Sequence, residues 1–240
     1  MLFNPPYMLI QSLRAKSVRL KICRINGLQL VVPRRFNKQK IPDILHKNQK
    51  WILRNWHHIS ANTSSDQKTA LPQELDLLFL NEKWQIQYYP QEINNILLEI
   101  QENHIIKITG NTQDYKLVIT ALKKHLKQKA RKYLMAKLDQ LCQTTQLSYS
   151  ALSIRDTQSR WGSCSAKKRI SLNFKLLFLP PDIVEYVLIH ELCHTRHLNH
   201  STHFWQLVER FCPKYLEMRQ KLKKISFSLP LWLEKVFGLG

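Results

Sequence analysis

Residues 186–205, YVLIHELCHTRHLNHSTHFW, contain the pattern H-E-x-x-H in His190, Glu191 and His194. Residues four apart on a helix lie one above the other on the same face, so both imidazoles can reach one ion. Zinc binds imidazole nitrogen at about 2.0–2.1 Å, and a catalytic zinc site usually has three protein ligands and a water. The pattern therefore predicts a helical metal site whose third ligand comes from elsewhere in the chain.

The third ligand is expected to be His200, six residues after His194 and beyond the predicted end of the helix. An H-E-x-x-H pattern followed by another His at this distance has the spacing of the long zinc motifs. Those motifs normally carry Gly three residues after the second His, but His197 stands there in this chain. Asn199, which tolerates left-handed backbone geometry, is expected to make the turn instead. The remaining candidates for the third ligand are His197, His203, Glu209 and Glu217.

The chain has 240 residues, enough for one large domain or two small ones with a buried core. Its five cysteines include no C-x-x-C pair, and this pattern favours a reducing compartment. No apolar run approaches the roughly 20 residues that a membrane span needs. Pro5 and Pro6 interrupt the apolar N-terminus, and basic residues follow it instead of preceding it as in a signal peptide. We therefore expect a cytoplasmic protein without a membrane span.

The formal net charge is +20, which favours polyanionic partners such as nucleic acid. The basic residues form three clusters, at 34–40, 123–132 and 221–224. They are not interleaved with aromatic residues, so any nucleic acid would be held through its phosphates. The alternative is that these clusters are simply solvated helix faces. The sequence predicts no particular oligomeric state.

Residues 1–112 are predicted to form a β-rich part, mainly antiparallel, with one helix. Alternating apolar and charged residues at 17–32, with a turn at Asn26-Gly27, indicate a β-hairpin. Helical spacing of apolar residues follows at 41–56, and the polar stretch 60–69 is a predicted loop. Further strands are predicted at 76–89, interrupted by Asn81-Glu82, and then at 96–100 and 105–109.

Residues 113–240 are predicted to form a second part that contains the metal site. A long amphipathic helix starts near Tyr115. Pro180 and Pro181 end the last strand, and Asp182 then favours the start of the motif helix. Ser201 is the expected N-cap of the helix that follows His200. Between the long helix and the motif helix, extended segments are predicted at Ser148–Arg155, Arg160–Ser165 and Arg169–Phe178. The fold class is α+β.

Four segments in this order resemble the YgjP-like zinc metallopeptidases, a zincin-type family related to the SprT-like proteases. They are RWGSCS at 160–165, ISLNFKL at 170–176, VLIHELCH at 187–194 and NHSTHFW at 199–205. The resemblance extends over roughly residues 14 to 224. It implies a zincin-like fold for the second part of the chain.

The resemblance also implies roles for individual residues. His190, His194 and His200 would be the ligands of a Zn²⁺ ion, and Glu191 the catalytic residue. The one departure that we note is Thr195, where an apolar residue is expected. Family resemblance implies a protein or peptide substrate without saying which one.

The leading hypothesis is a zinc-dependent metallopeptidase that hydrolyses peptide bonds through a metal-activated water, with Glu191 as general base. The extended piece Arg160–Ser165 would be a sheet edge that pairs with the substrate. Arg160 and Trp161 are candidate substrate-binding residues, and the alternative for both is a structural anchor between sheet and helix.

Two further hypotheses remain. In one, the protein is a DNA-associated, SprT-like protease that acts on nucleoprotein, with the basic clusters holding the DNA. In the second, it is a basic binding protein with a structural zinc. Structural zinc sites are normally closed by four protein ligands, so this hypothesis requires a fourth ligand from His197, His203 or Cys164.

Overall fold

The computed structural model describes residues 4–13, 15–23, 27–60, 70–158, 160–225 and 229–233. The chain divides into two compact units, Met1–Ala70 with Pro230–Gly240 and Leu71–Leu229. The predicted division of the chain between residues 112 and 113 lies inside the second unit, and it stays a prediction. No helix among the described residues is both long enough and apolar enough to cross a membrane.

The first unit contains a three-stranded sheet of β1 (Tyr7–Ser12), β2 (Arg19–Cys23) and β3 (Gly27–Pro33), in the order β1-β3-β2. The pairing of β2 with β3 is antiparallel, as the hairpin prediction requires. The turn residues 24–26 lie outside the described residues. The strands of residues 1–112 were expected to be mainly antiparallel, and this prediction is wrong for β1, which pairs with β3 in parallel. The alternation of apolar and polar residues shows which face of a strand is buried. This alternation is the same whether the partner strand is parallel or antiparallel.

Two helices cover one face of this sheet where one was predicted. They are α1 (Ile41–Lys47) and α2 (Gln49–Ser60). Asn48 separates them, because its side-chain amide donates to the Ile44 carbonyl at 2.8 Å and ends the first helix. Apolar residues of the central strand and both helices form the core of this unit. Its fully or almost fully buried members are Leu28, Leu30, Val32, Ile41, Leu45 and Ile52.

The second unit begins with a four-stranded sheet in the order β4-β5-β7-β6. Asn81, with a φ of 53°, makes the predicted break in the 76–89 segment. The expectation of antiparallel pairing fails again at β5 and β7, which run parallel. The physical reason is that the β6–β7 hairpin inserts β7 next to β5, so the connection from β5 to β6 crosses over a strand. The strands are β4 (Glu74–Leu77), β5 (Glu82–Pro90), β6 (Ile96–Gln101) and β7 (Ile105–Gly110).

The long helix α3 (Tyr115–Thr145) follows this sheet, as predicted. Asp114 caps its start by accepting a hydrogen bond from the Leu117 amide at 3.0 Å. Gln146, with a φ of 58°, ends it in the left-handed conformation. Apolar residues at three- and four-residue spacing are buried along one side: Val118, Leu122, Leu126, Ala130, Leu134, Leu138 and Leu141.

A second, three-stranded sheet in the order β8-β10-β9 contains the three extended segments that were predicted next. They are β8 (Ala151–Arg155), β9 (Gly162–Cys164) and β10 (Arg169–Asn173). The last strand is shorter than the predicted Arg169–Phe178, because residues 174–178 form a 3-10 helix. The buried Asn173 side chain starts this turn by accepting from the Lys175 amide at 3.2 Å.

Three helices complete the second unit: α4 (Pro181–Cys193), α5 (Thr202–Phe211) and α6 (Tyr215–Ile225). Pro181 stands in the first turn of α4, where a missing amide hydrogen costs nothing. Ser201 caps α5 as predicted, accepting from the Phe204 amide at 3.4 Å. The protein is therefore a mixed α+β structure with three small sheets, a long helix and C-terminal helices that present a histidine cluster.

Candidate metal centre

The helix α4 positions the first two histidines of the cluster. Its apolar side chains are buried on nearly every side, so the helix is fixed within the unit. His190 lies in its last turn and His194 is its C-cap, with the His194 amide hydrogen-bonded to the His190 carbonyl at 3.3 Å. The two rings lie edge to face, 4.8 Å apart between centroids. Helical spacing thus places both imidazoles on one face, as the sequence pattern predicts.

His200 comes from the segment between α4 and α5 and joins this pair. Its Nε2 lies 3.2 Å from the Nε2 of His190, and the ligand atoms of the three histidines all lie within 4.8 Å of one another. Two nitrogens bound to one tetrahedral zinc ion at about 2.0–2.1 Å would be roughly 3.3 Å apart. The closest pair of imidazole nitrogens therefore has the separation that a shared ion requires.

No other described side chain joins the three histidines as a candidate ligand. Within the described residues, the candidate metal-binding cluster consists of His190, His194 and His200 alone. Glu217 is exposed and instead pairs with Lys221 at 2.8 Å. The cluster also excludes His197, His203, Glu209 and Cys164. The described residues thus supply three candidate ligands, the number of protein ligands that is usual in catalytic zinc sites.

The turn between the two helices differs from the prediction. Asn199 is not among the described residues with a positive φ, so it does not make a left-handed turn. The chain leaves α4 through tight helical turns, in which the amides of Thr195 and Arg196 donate to Leu192 and Cys193. The Thr195 hydroxyl also donates to the Leu192 carbonyl at 2.7 Å. A polar side chain is therefore accommodated at the position where an apolar residue was expected.

Hydrogen bonding and packing fix the orientation of the His194 ring. Its Nδ1 lies 2.9 Å from the His197 carbonyl, which can only accept, so Nδ1 has the hydrogen. The Nε2 atom then has a free lone pair to offer to a metal ion. The ring also stacks on the fully buried Phe204, at 4.3 Å between centroids. An outer carbonyl that orients a ligating histidine is a regular feature of metal sites.

The surroundings also favour the neutral form of His190 and His194. Burial, followed by the charges of His194 and His200, lowers the pKa of His190 to about 3. Burial lowers the pKa of His194 as well, although its hydrogen bond to His197 opposes the effect. Since only a neutral imidazole can bind a metal ion, these shifts favour metal binding at neutral pH.

Glu191 lies beside this cluster and is only 5% exposed. Burial raises its pKa to about 8, and the nearby charge of Arg160 opposes this shift. Its Oε2 is buried and has no hydrogen-bond partner among the described residues. Buried polar atoms usually have a partner, so an unpartnered carboxylate oxygen on the helix that positions His190 and His194 is unusual.

The space for this carboxylate is provided by Gly162 on β9. A β-carbon at residue 162 would lie 2.6 Å from both Cγ and Oε1 of Glu191. Any residue with a side chain would displace the carboxylate. Gly162 belongs to the motif at 160–165 but was not predicted as a site residue, although a glycine inside a strand can mark a close approach.

The strand β9 forms an edge of its sheet, as predicted for Arg160–Ser165. The Trp161 carbonyl accepts from the Asn173 amide, and the Ser165 amide donates to the Arg169 carbonyl, so both residues point toward β10. In an antiparallel pair the direction of these groups alternates along the strand. The backbone groups of Gly162 and Cys164 therefore point toward the open edge.

Arg160 and Trp161 lie at the start of this edge, and Asn173 holds them there. The Asn173 side-chain amide donates to the carbonyls of Thr157 and Arg160, at 2.8 and 3.1 Å, and to the Thr157 hydroxyl at 3.0 Å. The Arg160 side chain is exposed, and its charge acts on Glu191. Asn173 is a second residue that was not predicted to support the site. Its role could have been inferred from its position, because a polar residue at a buried position of a predicted strand needs hydrogen-bond partners.

The site combines two histidines one helical turn apart, a buried glutamate between them in sequence, a third histidine from the segment after the helix and a strand edge. This combination defines a metallopeptidase-type site. The sequence profile of the YgjP-like metallopeptidase domain matches residues 16–225, and the chain belongs to this family. It is a metallopeptidase and therefore a hydrolase.

Two crystal structures of archaeal metallopeptidase zymogens are similar to parts of this chain. Abylysin from Pyrococcus abyssi is 25% identical, with a TM-score of 0.36, and the match covers 38% of this chain and 92% of abylysin. Jannalysin from Methanocaldococcus jannaschii is 21% identical, with a TM-score of 0.32, and the match covers 37% and 96% of the two chains. A search of curated protein sequences gives no match.

Proposed function

We propose that this chain is a zinc-dependent peptidase of the zincin type, in which His190, His194 and His200 bind the metal and Glu191 is the general base. The observation that carries the proposal is the position of Glu191. Its side chain is buried and follows His190 directly on α4, and Gly162 on the edge strand β9 leaves space for its carboxylate. A site that only held a structural metal would have no use for such a carboxylate.

The ligand set suits zinc. Three neutral imidazoles with an open fourth position are the protein ligands of several catalytic zinc sites, and oxygen-rich sites suit magnesium or calcium instead. Bound zinc lowers the pKa of a coordinated water toward about 7 and polarises a carbonyl group. The exposed position of His200 leaves this side of the site accessible to solvent and substrate.

Glu191 is suited to move a proton. Burial holds its pKa near 8 in the metal-free protein, so the carboxyl group can both accept and release a proton near neutral pH. In the proposed reaction it takes a proton from the attacking water and passes it to the leaving amine. Arg160, whose charge opposes the raised pKa of Glu191, would keep part of this carboxyl ionised.

The substrate would bind as an extended chain along β9. The outward-facing backbone groups of Gly162 and Cys164 offer hydrogen bonds to such a chain. Arg160 and Trp161, held by Asn173 at the start of the strand, are the proposed side-chain contacts with the substrate.

The test compares the wild type with Glu191→Gln. Both proteins are purified, zinc per chain is determined, and cleavage of an unfolded protein is followed. We expect equal zinc in both and cleavage by the wild type alone. Glu185→Gln is the matched control, because Glu185 lies on the same helix but is paired with Lys137 at 2.6 Å. Zinc in both proteins with cleavage by neither would favour a structural metal, and a zinc-free wild type would refute the proposal.

A second candidate, a DNA-associated protease acting on nucleoprotein, is favoured by the charge of the first unit. Its described residues include a single acidic side chain, Asp43. Against it stand ten basic side chains: Lys16, Arg19, Lys21, Arg34, Arg35, Lys38, Lys40, Lys47, Lys50 and Arg54. Repeating the cleavage assay with single-stranded DNA tests this candidate. Stimulation that disappears at high salt would support it, and unchanged cleavage without salt-sensitive DNA binding would contradict it.

A further inference from the structure

An exposed arginine, Arg219, lies on α6, which packs against the motif helix α4. Arg219 is exposed on α6, and it forms no ion pair with a described residue. Lys221, on the same helix, is paired with both Glu217 and Asp182. Since no described carboxylate pairs with Arg219, its guanidinium remains available to a ligand.

Trp205 on α5 holds this guanidinium in place. The Cζ of Arg219 lies 5.0 Å from the centre of the Trp205 ring, a cation–π contact. The same ring stacks on Tyr215, at 5.4 Å between centroids and 20° between planes. An arginine stacked on an aromatic ring keeps its planar set of donors, which matches the two oxygens of a carboxylate.

Trp205 also contacts the histidine cluster. Its ring centroid lies 5.5 Å from that of His200, at an angle of 29°, and 5.8 Å from that of His190. One aromatic ring therefore separates the guanidinium from two of the proposed zinc ligands. An extended chain advances about 3.3 Å per residue. A substrate residue close to the bond being cut can therefore reach from the histidine cluster to the Arg219 guanidinium.

The electrostatics agree with this geometry. The charge of Arg219 is one of the causes, after burial and the charges of His194 and His200, that lower the pKa of His190. It also opposes the burial that raises the pKa of Tyr186, one helical turn before His190. Arg160 acts on Glu191 and Arg219 acts on His190, so the two arginines influence different members of the motif.

We propose that Arg219, stacked on Trp205, binds a carboxylate of the peptide substrate beside the metal centre. The enzyme would then favour substrates with a carboxylate close to the bond being cut, from either an acidic side chain or the C-terminus of the chain. This inference rests on the proposed peptidase function and names its substrate class. The competing explanation is that Arg219 only connects α6 to α5.

The experiment uses one peptide sequence in four forms, with Asp or Asn next to the bond being cut and with a free or an amidated C-terminus. Arg219→Gln is compared with the wild type. The control is Arg210→Gln, which removes another exposed arginine that contacts a ring, that of Phe211 at 5.7 Å. Zinc content and melting temperature are measured for all three proteins.

We expect Arg219→Gln to lower kcat/KM roughly 10- to 100-fold for peptides that have the recognised carboxylate, the size expected for hydrogen bonds to a charged group. Peptides without it should change less than about 2-fold, and Arg210→Gln should change neither set. If the effect requires Asp, the side chain is the ligand, and if it requires the free C-terminus, the terminal carboxylate is. An equal loss for all four peptides, or no loss, would overturn the inference.

Binding separates this inference from the proposed function. The four peptides are also titrated against zinc-loaded Glu191→Gln, with and without Arg219→Gln. Tighter binding of carboxylate peptides that is lost with Arg219→Gln supports the subsite even if the wild type cleaves none of them. Equal binding of all four peptides to zinc-loaded Glu191→Gln would overturn it. Absence of cleavage in the wild type alone would count only against the peptidase function.

Discussion

Gly162 on β9 lies directly against the carboxylate of Glu191 on α4. A β-carbon at residue 162 would approach Cγ and Oε1 of Glu191 to 2.6 Å, which is closer than non-bonded atoms tolerate. The edge strand and the motif helix are therefore fitted to each other at the atom where proton transfer is proposed. This fit explains why a residue without a side chain stands in this strand.

Gly162→Ala should impair catalysis without loss of metal. The added methyl group would displace the Glu191 carboxylate, and a displacement of about 1 Å can cost about 100-fold in rate. We expect kcat to fall by this order and zinc content to stay at the wild-type level. Ser163→Ala, on the opposite face of the same strand, is the control. Normal kcat in a folded Gly162→Ala protein would show that the Glu191 position does not matter.

Asn173→Ala should loosen the start of the edge strand. It removes the three side-chain hydrogen bonds to Thr157 and Arg160, and we expect the free energy of unfolding to fall by about 1–3 kcal/mol. If Arg160 contacts the substrate, KM should also rise. Asn48→Ala provides the comparison, because it removes a similar amide-to-carbonyl bond in the first unit. Denaturant unfolding and peptide kinetics measure the two effects, and equal KM changes in both variants would contradict a positioning role.

His200→Ala should weaken zinc binding more strongly than His203→Ala. His200 Nε2 lies 3.2 Å from that of His190, and His203 lies outside the cluster although its ring is near that of His197. Loss of a direct ligand should exceed the roughly 10–100-fold weakening that loss of an outer-sphere partner causes. Competition with a zinc-binding dye measures both affinities. Equal affinities in the two variants would exclude His200 as a ligand.

Glu191→Gln should stabilise the metal-free protein, and the gain should increase with pH. The folded wild type retains a proton on Glu191 up to about pH 8, whereas the unfolded chain releases it near 4.5. The unfolded state therefore binds fewer protons between these values, and the stability of the wild type falls as pH rises. The difference between the two proteins should be small at pH 4.5 and increase by at most about 1.4 kcal/mol per pH unit toward pH 8.

Chelator-treated protein and denaturant titrations at several pH values measure this difference. Glu185→Gln, which removes a half-buried glutamate from the same helix, is the control variant. A constant difference between Glu191→Gln and the wild type across this range would mean that burial does not hold the proton on Glu191.

Short-range sequence patterns correctly predicted several helices and a helix cap, because these features are determined by residues that are close together in the chain. The spacing of His190 and His194 fixed their common face, and the hydroxyl of Ser201 was correctly assigned as a helix cap. The long apolar stripe of α3 was equally visible, because a buried helix face repeats every three or four residues. These features depend on neighbours within a few residues.

Features that depend on distant partners were not predicted. Nothing in the sequence of β1 (Tyr7–Ser12) shows that this strand skips β2 and pairs in parallel with β3. The early end of β10 depends on the hydrogen bonds that its last residue, Asn173, makes. The fit of Gly162 to Glu191 joins residues that are far apart in sequence. Positions of this kind are set by tertiary contacts, which a pattern of residue types does not record.

The open edge of β9 also affects how the protein behaves in concentrated solution. A strand edge that is proposed to bind the substrate presents the same unpaired backbone groups to the edge of another copy. This edge is only three residues long, and basic residues stand on both sides of it: Arg160 before it and Lys167 and Lys168 after it. Two copies approaching edge to edge would bring these like charges together. Short length and positive charge thus protect the protein against aggregation at the edge where the substrate is proposed to bind.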